Sequence, residues 1–316
     1  MKNKPNRLPI PPVIVIVFGI LAVSTSSIFI RFAQENAPSL VIAAYRLSLA
    51  SLILLPVTFR PGQRIVMRSL SGKQIVLALF SGVFLALHFA TWISSLAYTT
   101  VASSVVLVNT SPLWVALLTP LFLKDRLGKS IVISLLVTML GGLIVGISDV
   151  CQLSGHVLTC PSLPAILDER YFLGDFLALL GAFFASGYLL IGRQLRSGMS
   201  LLTYTFLVYG AAAIVLIGVV AAGRFSLTGY PTITYVWFLA LAVIPQLLGH
   251  STFNWVLGYL SATFVSISLL GEPIGSTILA YFILGEVPSL IKITGAVLIL
   301  VGIAFASRFE LHRESG

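Results

Sequence analysis

The sequence predicts an all-α membrane protein of ten transmembrane helices arranged as two inverted five-helix repeats. Three observations carry this reading: a composition too apolar for a soluble domain, ten apolar runs of spanning length, and residues that recur at one fixed offset. Of the 316 residues, 58% are hydrophobic and 9% are charged, against about 25% charged in an ordinary soluble domain. Mean hydropathy is +1.04. A secreted or cytosolic enzyme of this composition would lack the polar surface it needs. The net charge of +9 does not signal nucleic acid, because the basic residues lie between apolar runs and form no continuous stripe.

Within hydrocarbon a helix satisfies its own backbone in one segment, and crossing about 30 Å takes roughly 20 mostly apolar residues. Such runs lie at about 13–33, 39–59, 74–97, 101–123, 129–148, 172–192, 201–222, 234–256, 261–284 and 289–307. They are too long for the strands of an outer-membrane barrel. The first run starts near Val13, is too long for a signal-peptide core and has no small-residue cleavage site, so it is expected to be retained.

Lys and Arg set the orientation, since cytoplasmic loops keep them. With the N-terminus inside, 14 of the 19 basic residues share that side, including Lys2, Lys4, Arg60, Arg64, Lys124, Arg126, Arg193 and Arg308. Only Arg170, Arg224 and Lys292 fall outside, and Arg31 and Arg46 lie within spans. Both termini are therefore expected in the cytoplasm, with the chain in an inner or plasma membrane. The longest outer loop, about 149–171, carries Cys151 and Cys160. On an oxidising face these two could close a small disulfide, the alternative being two free thiols.

Internal repetition organises the chain. Leu96, Tyr98, Pro112, Leu123 and Gly141 recur 161 positions later as Leu257, Tyr259, Pro273, Leu284 and Gly302. Upstream the match slips by one: His88 lies ten residues before Tyr98, and His250 nine before Tyr259. This divides the chain into a first repeat at 8–150, an extracytoplasmic loop at 151–170 and a second repeat at 171–310. Five crossings per half force the second half to enter from the opposite side. The basic loop Lys124-Asp125-Arg126-Leu127-Gly128-Lys129 and its non-basic counterpart Gly285-Glu286-Val287-Pro288 fit that inversion. Inverted repeats give a fold two near-equivalent arrangements around a site close to the midplane.

Several stretches resemble the EamA-type members of the drug/metabolite transporter superfamily. The strongest runs from Ser261-Ala262-Thr263 through Leu270-Gly271-Glu272-Pro273 to Leu284-Gly285-Glu286. Gly174-Asp175-Phe176-Leu177-Ala178-Leu179 leading to Tyr188 and Arg193, and Ala44-Tyr45-Arg46-Leu47, support it. The resemblance covers nearly the whole chain in two copies. It implies the ten-helix drug/metabolite transporter fold around a central cavity, and export or exchange of small metabolites, often amino acids. Two features depart from the family pattern: Leu123-Lys124-Asp125-Arg126 stands where Leu-Gly-Glu-Arg is frequent, and the two-cysteine outer loop is unusually long.

Polar residues inside spans carry the candidate site, because a charged centre costs about 2.5–3.5 kcal/mol to insert and persists when it faces a partner or water. Glu272 is the most informative. Ser268 and Ser276 lie four residues to either side and Pro273 follows, giving a small, polar face at a helix kink. Glu272 then either binds a cationic group or exchanges a proton with the cavity, or is a protonated carboxyl bonded to a neighbouring helix. In the eighth span Gln246, His250 and Asn254 recur every four residues as one stripe that lines the cavity or joins helices. His88 and Trp92 share a comparable face in the third span, and His88 mirrors His250. Trp92, Trp114, Tyr188 and Trp255 could stack on substrate; Trp92 and Tyr188 are the two assigned to the lining. Asn109 and Ser111 precede Pro112 where the second repeat has Glu272 before Pro273. Arg46 either faces the cavity or snorkels outward. Gly141, Gly142, Gly146, Gly295 and Gly302 are read as close-packing positions.

The expected substrate-binding set is therefore His88, Trp92, Asn109, Ser111, Tyr188, Gln246, His250, Asn254 and Glu272, with Glu272 and His250 the candidates for proton coupling. No Gly-rich phosphate loop, His-Glu-x-x-His zinc motif or serine-protease constellation is visible, so no catalytic residue, metal or cofactor is expected. The expected partners are a small-molecule substrate, the lipid bilayer and coupled protons. The expected function is secondary transport of small organic metabolites, amino acids or related compounds, outward, by alternating access. An organic cation or drug exporter and a non-transporting receptor or scaffold are the alternatives.

Overall fold

The computed structural model describes residues 11–99, 104, 107–123, 128–150, 152–154, 157–159, 169–284 and 288–315. Helices begin where the sequence supplies a start. Pro12 opens α1 (Pro12–Ser24), where its fixed φ and missing N–H cost nothing. After a turn at Thr25 comes α2 (Ser26–Gln34). Next are α3 (Ser39–Thr58) and α4 (Pro61–Arg68), a short amphipathic helix with no buried residue. It lies between the second and third apolar runs. A capping box starts α5 (Gly72–Ser95): the Gln74 N–H donates to Ser71 Oγ at 3.2 Å, and the Ser71 N–H to Gln74 Oε1 at 2.9 Å.

There follow α6 (Ser111–Phe122), α7 (Lys129–Val150), and strands β1 (Gln152–Ser154) and β2 (Val157–Thr159). The strands form an antiparallel hairpin in the register Gln152 with Thr159, a small addition to the all-α expectation. Cys151 and Cys160 lie outside the described residues. The second half holds α8 (Glu169–Arg196), α9 (Leu201–Ala222) and α10 (Thr232–Leu241), which runs through a π-helical stretch (Ala242–His250) into α11 (Ser251–Val256). The last three helices are α12 (Ala262–Leu269), α13 (Glu272–Leu284) and α14 (Leu290–Ser315).

Among the described residues, seven helical segments are long and apolar enough to cross a membrane: Ile14–Gln34, Ser39–Thr58, Gly72–Ser95, Tyr171–Arg196, Leu201–Ala222, Thr232–Val256 and Ala262–Leu279. Ser111–Phe122, Lys129–Ile144 and Ile293–Ala306 are shorter apolar helices. Bulky apolar side chains such as Leu121, Ile214 and Phe282 remain more than 70% exposed on the outside of the bundle. In water that would be a liability; against acyl chains it is solvation. The chain is a multi-span membrane protein.

The helices pack in a small set of partnerships. The most extensive joins α7 to α14, followed by α5 with α8, α3 with α9, and α5 with α9. Alpha-1 lies against the π-helical stretch and α13, while α6 lies against α8 and α12. Close approach needs glycine at defined points. A Cβ on Gly141 would meet the Gly295 carbonyl oxygen at 2.7 Å and Ile299 N at 2.8 Å. One on Gly302 would meet Ser134 O at 3.0 Å and Thr138 N at 3.1 Å across the same crossing.

Three membrane-depth segments are broken rather than continuous. Alpha-1 yields to α2 at Thr25, whose hydroxyl bonds back to the Ala22 carbonyl at 2.8 Å. Turns at Asn109-Thr110 and Leu270-Gly271 precede α6 and α13, each of which has proline in its second position. The breaks at Thr25 and Gly271 sit side by side. Ser24 Oγ–H bonds to the Glu272 carbonyl at 3.0 Å, and Ser276 Oγ–H to the Ser24 carbonyl at 3.1 Å. A Cβ on Gly275 would fall on the Ser24 hydroxyl, so only glycine permits this contact.

Candidate functional site

The breaks border a partly open cavity lined from both halves of the chain, whose roughly 670 Å³ of empty space includes space open to its surroundings. Ser26 from the start of α2 lines it, as do His88 and Trp92 from α5, Asn109 and Ser111 at the α6 kink, Tyr188 from α8, His250 at the end of the π-helical stretch, and Glu272 at the α13 kink. Val23, Ala185, Leu189 and Phe253 supply apolar wall. Mostly apolar walls with a few convergent polar groups are usual for a small-molecule site.

The kinks have a direct chemical consequence. Proline has no N–H, so Pro112 leaves the Val108 carbonyl without its helical donor, and Pro273 does the same to Leu269. Val108 and Leu269 both line the cavity. They are 161 positions apart, as are Ser111 and Glu272. The two halves thus contribute the same kink at the same place, one carrying a hydroxyl and the other a carboxyl.

Some lining groups are held by the protein. His88 Nδ1–H donates to the Gly181 carbonyl at 2.9 Å, and its ring stacks on Trp92 at 5.7 Å and 12°. The Tyr188 hydroxyl donates to Asn254 Oδ1 at 2.6 Å, and Asn254 Nδ2 donates to the Tyr209 hydroxyl at 3.2 Å. Trp92 Nε1 is buried with no hydrogen-bond partner among the described residues. Buried polar groups are ordinarily satisfied, and this one belongs to a residue that borders the cavity.

Seven of the nine expected substrate-binding residues thus border one cavity. Gln246 and Asn254 do not. Both are fully enclosed beside it: Gln246 Oε1 accepts from Arg46 Nε at 2.8 Å, and Asn254 bridges the two tyrosines. The wider turn of i→i+5 bonding explains why a four-residue spacing did not keep Gln246 on the face of His250. Arg46 does not snorkel. It is wholly buried, its Nη1 donates to Ser26 Oγ at 2.7 Å, and its guanidinium carbon lies 4.2 Å from the Phe89 ring centre. Trp114 and Trp255 pack elsewhere, on Phe183 and Tyr259. The sequence reading missed Ser26, although the run Ser24-Thr25-Ser26-Ser27 inside an apolar span was a signal of broken helix. Among the described residues no group of three or more His, Cys, Asp or Glu could hold a metal ion.

The model of the EamA-like transporter family matches residues 10–147 and 172–308. The chain belongs to that family. It is an EamA-type member of the drug/metabolite transporter superfamily, a transporter and not an enzyme. The pseudopaline exporter CntI of Pseudomonas aeruginosa (strain UCBPP-PA14) is 25% identical over 93% of this chain and 95% of its own length. The uncharacterized transporter YyaM of Bacillus subtilis (strain 168) is 24% identical over 84% of this chain and 83% of its own. A solved crystal structure superimposes with a TM-score of 0.74 over 96% of this chain and 98% of that one, at 16% identity, a likeness of fold. The match falls in two segments either side of the hairpin.

Proposed function

We propose that this protein is a secondary transporter of small organic metabolites, amino acids or related compounds, which moves them outward across an inner or plasma membrane by alternating access. The observation that carries the reading is the cavity itself, bordered by two proline kinks 161 residues apart, one from each half of the chain.

The reading takes the chain as ten spans in two inverted repeats, 8–150 and 171–310, with both termini cytoplasmic and the loop 151–170 outside. The contacts support it. Gly141 approaches Gly295 and Ile299, while Gly302 approaches Ser134 and Thr138; adding 161 to 134, 138 and 141 gives 295, 299 and 302. Reciprocal contacts of this kind are what a two-fold relation produces. The same exchange relates the packing of α5 on α8 to that of the π-helical stretch on α1, and of α6 on α8 to that of α13 on α1. Two halves related in this way can rock against each other about a fixed site. A metabolite exporter among the relatives supports the direction.

The test is counterflow in liposomes reconstituted with purified protein, using a labelled amino-acid and amine panel with and without a pH gradient. Saturable exchange of a panel member is the expected result. Absence of flux for every member, from protein shown to be folded, would leave the receptor or scaffold alternative in its place.

A further inference from the structure

Alpha-4 is a helix without an interior. None of its eight residues, Pro61–Arg68, is buried, although it rests against α3 and α9. A helix this short is marginal on its own in water, where stability in isolation takes about 12–15 residues. Its charges add to the difficulty. Arg60 is the N-cap, and Arg64 and Arg68 follow at intervals of four, so the three share one helix face. All three are exposed, and like charges at this spacing destabilise a helix. The surrounding sequence supplies no compensation. No Asp or Glu occurs from Asn36 to Lys124, and Lys73, also exposed, adds a fourth cation at the start of α5.

The neighbouring helices fix the depth of α4. The 20 residues of α3 rise about 30 Å, the thickness of the hydrocarbon. That helix ends at Thr58 and α4 opens at Pro61, while α5 begins at Gly72, soon after Arg68. These links are too short to carry α4 away from the headgroup layer. At that level it turns apolar side chains outward: Ile65 is 71% exposed, and Phe59 and Val66 are exposed as well. The Phe59 ring meets Phe206 of α9 edge-on at 6.1 Å, and the Arg64 guanidinium carbon lies 5.4 Å from the Phe59 ring centre.

We infer that α4 lies in the headgroup layer and binds acidic phospholipid, the arginine stripe holding headgroup phosphates while Ile65 and Val66 enter the acyl region. The residue type fits phosphate. All three cations of the stripe are arginines, whose planar fork holds two phosphate oxygens at once. An apolar edge beside a basic one is how an interfacial helix attaches to an anionic membrane, and each basic residue near such a surface adds to the attraction. A second copy of this chain would set like charge against like, and a soluble acidic partner would leave Ile65 in water. Bound lipid cancels the repulsion along the stripe and steadies the link between α3 and α5, the helix that brings His88 and Trp92 to the cavity. This holds whichever membrane face α4 lies on, and whether or not the cavity transports.

The experiment uses the full-length protein in neutral detergent, with phosphatidylglycerol as the acidic probe and phosphatidylcholine as the neutral one. Native mass spectrometry reads bound lipid, and the melting temperature reads its effect on the fold. The acidic lipid is expected to bind about tenfold more tightly than the neutral one and to raise the melting temperature. Combining Arg60→Gln, Arg64→Gln and Arg68→Gln should lower affinity for it by about tenfold or more and remove most of that rise. If the triple variant does not fold, Arg64→Gln alone is expected to lose about threefold. Removing equal charge elsewhere, through Lys2→Gln, Lys4→Gln and Arg7→Gln, should leave both readings at wild-type level. Ile65→Ser should weaken binding of the acidic lipid while keeping its preference over the neutral one. Equal binding of the two lipids by the wild type, undiminished binding by the arginine variants, or an equal loss from the N-terminal variant would overturn the inference. So would an equal rise in melting temperature from inorganic phosphate or polyglutamate, neither of which has an acyl chain to cover Ile65.

Discussion

Gly141 and Gly302 hold reciprocal places in one helix crossing, each facing the backbone of the other's helix at a separation that only a hydrogen atom fits. Because the contact is made twice, replacing either glycine should do similar harm. We expect Gly141→Leu and Gly302→Leu each to destabilise the bundle by about 1–3 kcal/mol, the usual range for overpacking. Melting of the two variants in detergent checks this. A large effect at one position and none at the other would contradict the two-fold relation between α7 and α14.

The tie between Tyr188 and Asn254 makes the second prediction. Asn254 is fully enclosed and holds two tyrosine hydroxyls, so Asn254→Leu leaves both without that partner. A loss of about 1–3 kcal/mol is expected from buried groups left unsatisfied. Tyr188→Phe removes a single hydroxyl and should cost less. Chemical denaturation of both variants tests the order, and a reversed order would mean the network is not what holds this wall.

Glu272 makes a prediction about energy coupling that is separate from binding. If its carboxyl carries the coupled proton, Glu272→Gln should abolish accumulation driven by a pH gradient while exchange of substrate for substrate continues. Uphill transport of the Gln variant with an unchanged response to the gradient would remove Glu272 as proton carrier and leave His250 as the remaining candidate.

The hairpin makes a chemical prediction about the loop. Gln152 pairs with Thr159, and the next residue outward on each strand in sequence is a cysteine, Cys151 and Cys160. We expect protein from an oxidising compartment to carry a disulfide between them, joining the two peptides in non-reducing mass spectrometry. Full alkylation of both thiols without reduction would refute it.

Orientation is tested by single cysteines introduced near each end of the chain, with Cys151 and Cys160 replaced by serine. Labelling by an impermeant reagent should be blocked at both ends in intact cells. Labelling at one end alone would require an odd number of crossings and would end the inverted-repeat reading.

How far the sequence revealed this molecule depended on the physics at each point. The apolar segments were legible because hydrocarbon forces each crossing to be a self-satisfied helix, and the kinks at Ser111 and Glu272 because proline cannot donate. What failed were questions of direction around the helix axis. The depth of Arg46 could be read, but whether it faces lipid or protein depends on Ser26 and Gln246, 20 and 200 residues away in the chain. Gln246 itself was placed on the cavity by an α-helical spacing that the π-helical stretch does not obey. The short α4 and the hairpin carry too few residues for a periodic signal.

The duplicated kink is chemically lopsided, with a hydroxyl at Ser111 where its mate Glu272 has an acid. If the protein alternates between two poses as proposed, an evenly matched pair would let it dwell equally in both when unloaded. Uneven halves remove that degeneracy, and a gap of only about 1.4 kcal/mol makes one resting pose ten times as populated as the other. On the alternating-access proposal, a gap of that kind would bias the resting state before any cargo arrives, and the acid at Glu272 opposite the hydroxyl at Ser111 is one difference between the copies that contributes to it.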